Sequence, residues 1–247
     1  MSLSEAAQSE GLFIYAPLII ALPISGLLLN ILFGWRAGER FSSIVASSAV
    51  GLAFVVAIMQ FFALRVHPEG ATVYVADWIH IGALDVSWSL KVDTLSATMM
   101  MMVTGVSTLI HVYAAGYMHE DVRFQGDPGR YTRFFIFFNL FVAAMMILVT
   151  ADNYLMMFVG WEGVGLCSYL LIGFWYEKGE DGIGNAIAGK KAFVTNRIGD
   201  FGFLIAMFLI FGLAGSLQFD EVFHWVETHG VAQVGMISAV TLCILLG

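Results

Sequence analysis

Glu162, Arg197 and Asp200 are the residues of this 247-residue chain whose chemistry most needs explaining, because each stands inside an apolar run long enough to cross a bilayer. A charged side chain at mid-bilayer costs about 2.5–3.5 kcal/mol on insertion scales, so its presence there marks a candidate site. Glu162 lies in Phe158-Val159-Gly160-Trp161-Glu162-Gly163-Val164-Gly165, eight residues past Tyr154. On a helix that places it ~12 Å along the axis, well inside the hydrocarbon zone. Burial opposes ionisation of a carboxyl and a nearby cation favours it, so a movable cation would switch Glu162 between its two states near neutral pH. Proton transfer requires such a switch. Gly160, Gly163 and Gly165 remove bulk around it, so another helix or water can approach. A structural hydrogen bond or ion pair between helices would occupy the same position.

Arg197 and Asp200 are three apart, share a helix face and can neutralise each other. Lys190, Val194, Arg197 and Asp200, with Lys191 beside them, trace one stripe down the first turns of the same run, as a proton relay or water-lined path would. A mutual Arg197–Asp200 pair, with Lys190 and Lys191 snorkelling to the interface, produces the same pattern, and snorkelling suits Lys190 better than Lys191.

Weaker signals surround these. His111 sits inside an apolar run and fits a relay less well than a hydrogen-bonded structural histidine. His224 and His229 have no partner ligands in sequence, and Cys167 and Cys243 fit neither a disulfide framework nor zinc spacing, so no metal is expected. Asp93 fits a helix N-cap. Gly184-Asn185-Ala186-Ile187-Ala188-Gly189-Lys190-Lys191 satisfies the opening of a phosphate-binding P-loop. However, Lys191 replaces the hydroxyl residue, no buried strand precedes it, and no nucleotide site is expected.

The elements that position these residues follow from composition. Of the chain, 59% is hydrophobic and only 12% charged, with a mean hydropathy of +0.83. Soluble domains carry about 25% charged residues, so a soluble globular reading fails, as does disorder. The net charge of −8 argues against nucleic acid as a partner, and no basic stripe is present to neutralise phosphates. A bilayer-crossing helix needs about 20 apolar residues. Such runs occupy Leu12–Phe33, Ser43–Leu64, Leu95–Met118, Phe134–Thr150, Tyr154–Trp175 and Ala192–Leu213, and a seventh begins near Val231 and stops at Gly247. Pro17 and Pro23 interrupt the first without excluding it. The expected fold is therefore an all-α polytopic membrane protein, with six complete transmembrane helices and a truncated seventh. A span ending half-built suggests the N-terminal part of a longer protein, or a chain cut there. The first ten residues carry Glu5 and Glu10 but no Lys or Arg, so no cleaved signal peptide is expected.

Lys/Arg counts orient the spans. One side receives Arg36, Arg40, Arg123, Arg130, Arg133, Lys178, Lys190 and Lys191; the other receives Arg65 and Lys91 only. The N-terminus is expected outside and the basic loops in the cytoplasm. Between the second and third spans, Leu84, Val86, Trp88, Leu90 and Val92 alternate with Asp85, Ser87, Ser89, Lys91 and Asp93, a half-buried strand. A looser strand, Val73–Ile81, precedes it with Gly82 as the turn, predicting a small outer-face β-hairpin. Leu217–Glu227 places Phe219, Val222, Phe223 and Val226 at helical spacing and reads as a short interfacial helix. No repeat or linker divides the chain.

Several segments together carry a resemblance. They are Ala151-Asp152-Asn153-Tyr154-Leu155, then Gly160-Trp161-Glu162-Gly163-Val164-Gly165-Leu166-Cys167-Ser168-Tyr169-Leu170-Leu171-Ile172-Gly173-Phe174-Trp175, then Lys191-Ala192-Phe193 and Asn196-Arg197-Ile198-Gly199-Asp200. They closely resemble the subunit L (chain 5) family of NADH:quinone oxidoreductase, respiratory complex I. Val92-Asp93-Thr94-Leu95-Ser96 and His111-Val112-Tyr113-Ala114-Ala115-Gly116-Tyr117-Met118 resemble it too, so the likeness runs from about the hairpin onward. It implies an antiporter-like proton-pumping subunit of the membrane arm, in the cell (inner) membrane, with other membrane-arm subunits, lipid and protons as partners. By the resemblance, Glu162 is the key acid of the proton pathway, modulated by a lysine, and Lys191, Arg197 and Asp200 are polar positions of the neighbouring helix. It also implies no cofactor on this chain, since NADH, FMN, iron–sulfur clusters and quinone belong to the rest of the complex. The partner lysine is expected beyond Gly247, so this segment alone should not pump. The implied division is 1–70 for two N-terminal helices, 71–133 for hairpin and third helix, and 134–247 for the start of the antiporter-like core. Two other readings remain open: the large subunit of a multisubunit Na+/H+ antiporter, and a structural subunit whose charges only fix helix packing.

Overall fold

Backbone amides in an apolar solvent must bond within the chain, which helices achieve locally. The computed structural model describes residues 11–82, 84–230 and 232–246, and those residues are helical apart from one hairpin and connecting turns. A first span, Gly11–Ala37, joins a 3-10 turn at Gly11–Tyr15, α1 (Leu18–Leu29), a π-helical turn at Asn30–Gly34 and α2 (Trp35–Ala37). It continues with α3 (Glu39–Val66), β1 (Ala71–Ile81), β2 (Leu84–Val92), α4 (Thr94–Phe124) and α5 (Arg130–Thr150). The chain then forms α6 (Tyr154–Ile172), α7 (Gly184–Ala214), α8 (Phe219–His229) and α9 (Val234–Leu246). Six of the described helices are long and apolar enough to cross a membrane, matching the expected spans, and α9 is shorter at 13 residues.

Two helix starts are capped by side chains, the first as expected. Asp93 caps α4 reciprocally: its carboxylate accepts from Ser96 N at 2.7 Å, and its own N–H donates to Ser96 Oγ at 2.8 Å. Asn153 caps α6 by accepting from Met156 N at 2.8 Å. The hairpin is a two-stranded antiparallel sheet that turns at Gly82, whose φ of +61° suits glycine. Val86, Leu90 and Val92 are buried, as the alternation predicts, but Ser89 is buried with them.

Most spans differ from the hydropathy reading by up to four residues at an end, and two boundaries differ by more. α7 starts at Gly184, not Ala192, because its first turns are polar yet still helical. The Gly184–Lys190 segment is thus helix rather than a phosphate-cradling loop. Interfacial residues likewise extend α4 to Phe124.

Packing divides the chain into two compact units, Met1–Val73 with Leu90–Thr150, and Tyr74–Ser89 with Ala151–Gly247. In the first, α1, α3, α4 and α5 pack on one another. Buried alanines at Ala46, Ala49, Ala53 and Ala57 give α3 a smooth face for close approach. This packing places α5 with the N-terminal helices. In the second unit, Phe203, Ala206, Met207 and Ile210 of α7 form a core with Leu217, Val222 and Val240, so α8 and α9 are both held against α7. α8 turns Val222 inward and leaves Phe223 exposed.

Candidate functional site: a charged triad between two helices

Asn153 anchors the start of α6 beyond its cap. Its amide donates to Ser87 O at 3.2 Å and to Asp152 Oδ1 at 2.6 Å. Tyr154 N–H donates to Leu217 O at 3.0 Å and Phe219 N–H to Asp152 O at 3.1 Å. The entry of α6 is thereby fixed to the residues leading into α8. At the other end of α6, Gly189 of α7 approaches so closely that a Cβ there would lie 3.3 Å from both Tyr169 O and Gly173 N. With both ends held, the facing sides of α6 and α7 meet in register.

The sequence-predicted acids and arginine come together in that register. Arg197 forms an ion pair with Glu162 across the two helices. The same guanidinium nitrogen, Nη1, donates to Asp200 Oδ2 at 3.2 Å along α7. One cation therefore serves two carboxylates, where the intrahelical spacing predicted only the Asp200 contact. The side chain of Asp200 is buried at 6% exposure, against 25% for Glu162 and 35% for Arg197. Asp200 Oδ1 is buried and has no hydrogen-bond partner among the described residues. In a dry interior such an oxygen is costly unless a proton, water or partner reaches it.

Aromatic pairs bracket the triad along both helices. Phe158 of α6 stacks on Phe203 of α7 with centroids 5.4 Å apart, and Tyr169 meets Phe193 at 5.6 Å. Arg197 Cζ lies 4.5 Å from the centre of the Phe193 ring, one turn before it, a cation–π contact that holds the guanidinium from its face. Phe193, which carries no charge to mark it in the sequence, thus belongs to the site. Its signal was an aromatic at i−4 from an intramembrane arginine.

Lys191 is not brought to the acids. It is exposed on α7 six residues before Arg197, about one and two-thirds turns, and so points away from the triad's face. Lys190 shares the Arg197 face about two turns earlier and is also exposed. His111 lies in the first unit, and His224 and His229 lie on α8; none of them joins Glu162. Both cysteines are free thiols, Cys167 buried and Cys243 partly so.

Two family models match the chain. Residues 78–135 match the family described as NADH-ubiquinone oxidoreductase (complex I), chain 5 N-terminus. Residues 151–247 match NADH:quinone oxidoreductase/Mrp antiporter, TM. NADH-quinone oxidoreductase subunit L of Mycobacterium tuberculosis (strain CDC 1551 / Oshkosh) is 41% identical over 241 residues, 94% of this chain and 35% of that protein. The chain belongs to the subunit L (chain 5) family. Subunit L of Escherichia coli (strain K12) is 40% identical over 233 residues, 93% of this chain and 36% of that one. NADH-ubiquinone oxidoreductase chain 5 of Talaromyces marneffei is 36% identical over 229 residues, 93% and 33% respectively. The chain thus spans about a third of the length of these subunit L relatives. Solved structures that share its fold include chains of two complexes. A chain of the membrane-bound sulfane sulfur reductase, an archaeal respiratory membrane complex, matches with a TM-score of 0.76 at 18% identity, covering 94% of this chain and 44% of that one. A chain of the Mrp complex from Dietzia sp. DQ12-45-1b matches with a TM-score of 0.72 at 22% identity, covering 94% and 23%. This is a multi-pass membrane protein of a family whose members are subunits of multisubunit complexes.

Proposed function

We propose that the chain acts as an antiporter-like, proton-translocating component of the membrane arm of NADH:quinone oxidoreductase. The observation that carries this reading is the sharing of Arg197 between Glu162 and Asp200. A guanidinium keeps its charge at any working pH, so the carboxyls are the proton carriers and Arg197 directs them. An acid that holds the cation stays ionised, and the acid that loses it in a low dielectric favours its neutral, protonated form. Displacing Arg197 from one carboxylate to the other therefore moves the preferred proton position between α6 and α7. The unpartnered Asp200 Oδ1 supplies a place for that proton or for the water that delivers it. A lysine outside this chain would then compete with Arg197 for Glu162, as the family likeness implies.

In this proposal the energy comes from quinone reduction elsewhere in the complex. The NADH, FMN, iron–sulfur and quinone chemistry belongs to other subunits, and this chain contributes only charge movement. Its membrane is the cell (inner) membrane, with the N-terminus outside.

The decisive measurement is proton translocation per NADH oxidised, in vesicles carrying the assembled complex with Glu162→Gln. Glutamine keeps the volume and a hydrogen-bonding end but cannot carry a proton. Coupled pumping should fall roughly tenfold, which corresponds to about 1.4 kcal/mol on the transfer barrier. Unchanged pumping with intact assembly would reduce the triad to a packing device.

A sodium/proton antiporter is the second reading, favoured by the match to a family that also takes in Mrp antiporters and by the shared fold of the Mrp-complex chain. A pH gradient collapsed by added Na+ in NADH-free vesicles would decide for it.

A further inference from the structure

The first unit holds a buried titratable group that the proposed pathway does not use. His111 of α4 is fully buried, and each ring nitrogen has one partner. Nδ1 lies 2.7 Å from Ser107 O, and Nε2 lies 2.9 Å from Asn139 Oδ1 on α5. The Phe138 ring stacks on the imidazole at 4.1 Å between centroids and 8° between planes, and Phe135 closes another side at 6.1 Å.

The partners constrain the proton count. A backbone carbonyl only accepts, so Nδ1 must carry a hydrogen. The amide of Asn139, in contrast, can present either its oxygen or its NH2, since the two ends occupy the same volume. With the oxygen toward Nε2, both nitrogens donate and the ring is an imidazolium. With the NH2 toward Nε2, the ring is neutral and accepts. Each charge state of His111 thus demands its own orientation of one amide.

The other end of that amide faces the first span. Asn139 Nδ2 has no hydrogen-bond partner among the described residues and lies only 2.3 Å from where a Cβ on Gly26 would be. One turn along, where the helix loosens into its π-helical turn, Asn30 is fully buried and its Oδ1 also lacks a partner among the described residues. Its amide donates to Ser42 O at 3.2 Å, and Ser42 Oγ pairs with Thr132 Oγ1 at 2.9 Å. Asn30 Oδ1 lies toward Gly34, 3.3 Å from where its Cβ would be and two turns from Gly26, so the two orphaned atoms are separate places for internal water, and the one at Asn139 adjoins the imidazole.

We propose that His111 and Asn139 form a second, water-fed proton-accepting site, in which protonation of the imidazole is coupled to rotation of the Asn139 amide. The proton is taken from internal water and bonds to Nε2, while the Nδ1 hydrogen remains on Ser107 O. On release it returns to water and the amide turns back. The face of Phe138 supports the imidazolium in place of a carboxylate. Charged groups on the packed helices stand at their ends: Arg36 on the first span, Glu39, Arg40 and Arg65 on α3, and Arg130 and Arg133 on α5, while the nearer Tyr131 of α5 donates its hydroxyl to Ala115 O at 3.0 Å. On α4 itself the next ionisable side chain toward the C-terminus after the tyrosines Tyr113 and Tyr117 is His119, eight residues or ~12 Å on, where it pairs with Glu39 at 2.5 Å. The site is independent of the triad, and its failure would leave the triad untouched.

Infrared pH titration of the assembled complex, grown with 15N-labelled histidine, tests it across the ordinary imidazole range, from about pH 5 to 9. Subtracting the spectrum of His111→Gln isolates the His111 bands. The expected result is conversion of a neutral Nδ1–H ring to an imidazolium, with an asparagine amide band shifting at the same midpoint and absent in Asn139→Leu. A ring fixed in one state throughout, or a ring that titrates while the amide band stays still, overturns the proposal. Should His111→Gln fail to assemble, the Asn139→Leu subtraction reports the same coupling.

Discussion

At the residue scale, the question is what one arginine does between two acids. If Arg197 is the shared counter-charge, Arg197→Gln leaves two facing carboxylates without a cation. Breaking a buried ion pair by removing one partner costs about 3–5 kcal/mol, and the partial exposure of Glu162 places this one toward the low end. A thermal shift of the assembled complex should register that loss. Adding Asp200→Asn should then recover part of it, because one of the uncompensated charges is gone. Strict additivity of the two losses would show that Arg197 does not bridge the acids, since non-additivity is the signature of shared partners. Glu162, Arg197 and Asp200 were all legible in the sequence, because charge inside an apolar run announces itself. Their pairing was not. Intrahelical spacing supports Arg197–Asp200, whereas Glu162–Arg197 depends on which helix α6 faces and at what register. Lys191 shows the converse, since nearness in sequence to Arg197 suggested a shared path and helical rotation sends it elsewhere.

At the element scale, the register of α6 on α7 rests on backbone contact as much as on charge. Gly189 lies against Tyr169 O and the Gly173 backbone, whereas Gly212, in the same helix, has nothing within 4 Å of where its Cβ would be. Ordinarily Gly→Ala inside a helix gains about 1 kcal/mol. Gly212→Ala should show that gain, and Gly189→Ala should show the opposite sign, because neighbouring backbone cannot yield as a flexible side chain would. Equal stabilisation of both variants in thermal denaturation would mean the close approach does not set the register. Strict alternation made the hairpin readable, and its capping residue made the start of α4 readable, since both are local. The early start of α7 at Gly184 escaped because hydropathy tracks lipid contact, and a helix can continue past the apolar slab. The π-helical turn Asn30–Gly34 escaped for another reason: its contacts, Asn30 on Ser42 O and Gly34 against Thr132 and Ser42, are distant in sequence and leave no local signal.

At the scale of the whole molecule, the spans must alternate in direction, so every connecting segment has a side assigned by parity. The six described spans put the α2–α3, α4–α5 and α6–α7 connections on one side, and the hairpin with the α5–α6 connection on the other. With eight basic residues near the first set and two near the second, the proposed orientation puts the first set in the cytoplasm. Arg197 is left out of the count because it is internal and ion-paired. Two exposed positions test the assignment: Asp85 in the hairpin, with 73% of its side chain exposed, and Phe124 at the end of α4, 89% exposed. Native Cys167 is buried, and Cys243 lies partly buried in apolar α9, so neither competes strongly for a membrane-impermeant maleimide. In intact cells Asp85→Cys should label and Phe124→Cys should not, and inverted vesicles should reverse the result. Labelling of Phe124→Cys from outside would invert the topology. It would also send any proton entering from the basic loops toward the Glu162–Arg197–Asp200 triad from the wrong side of the membrane for NADH-driven export.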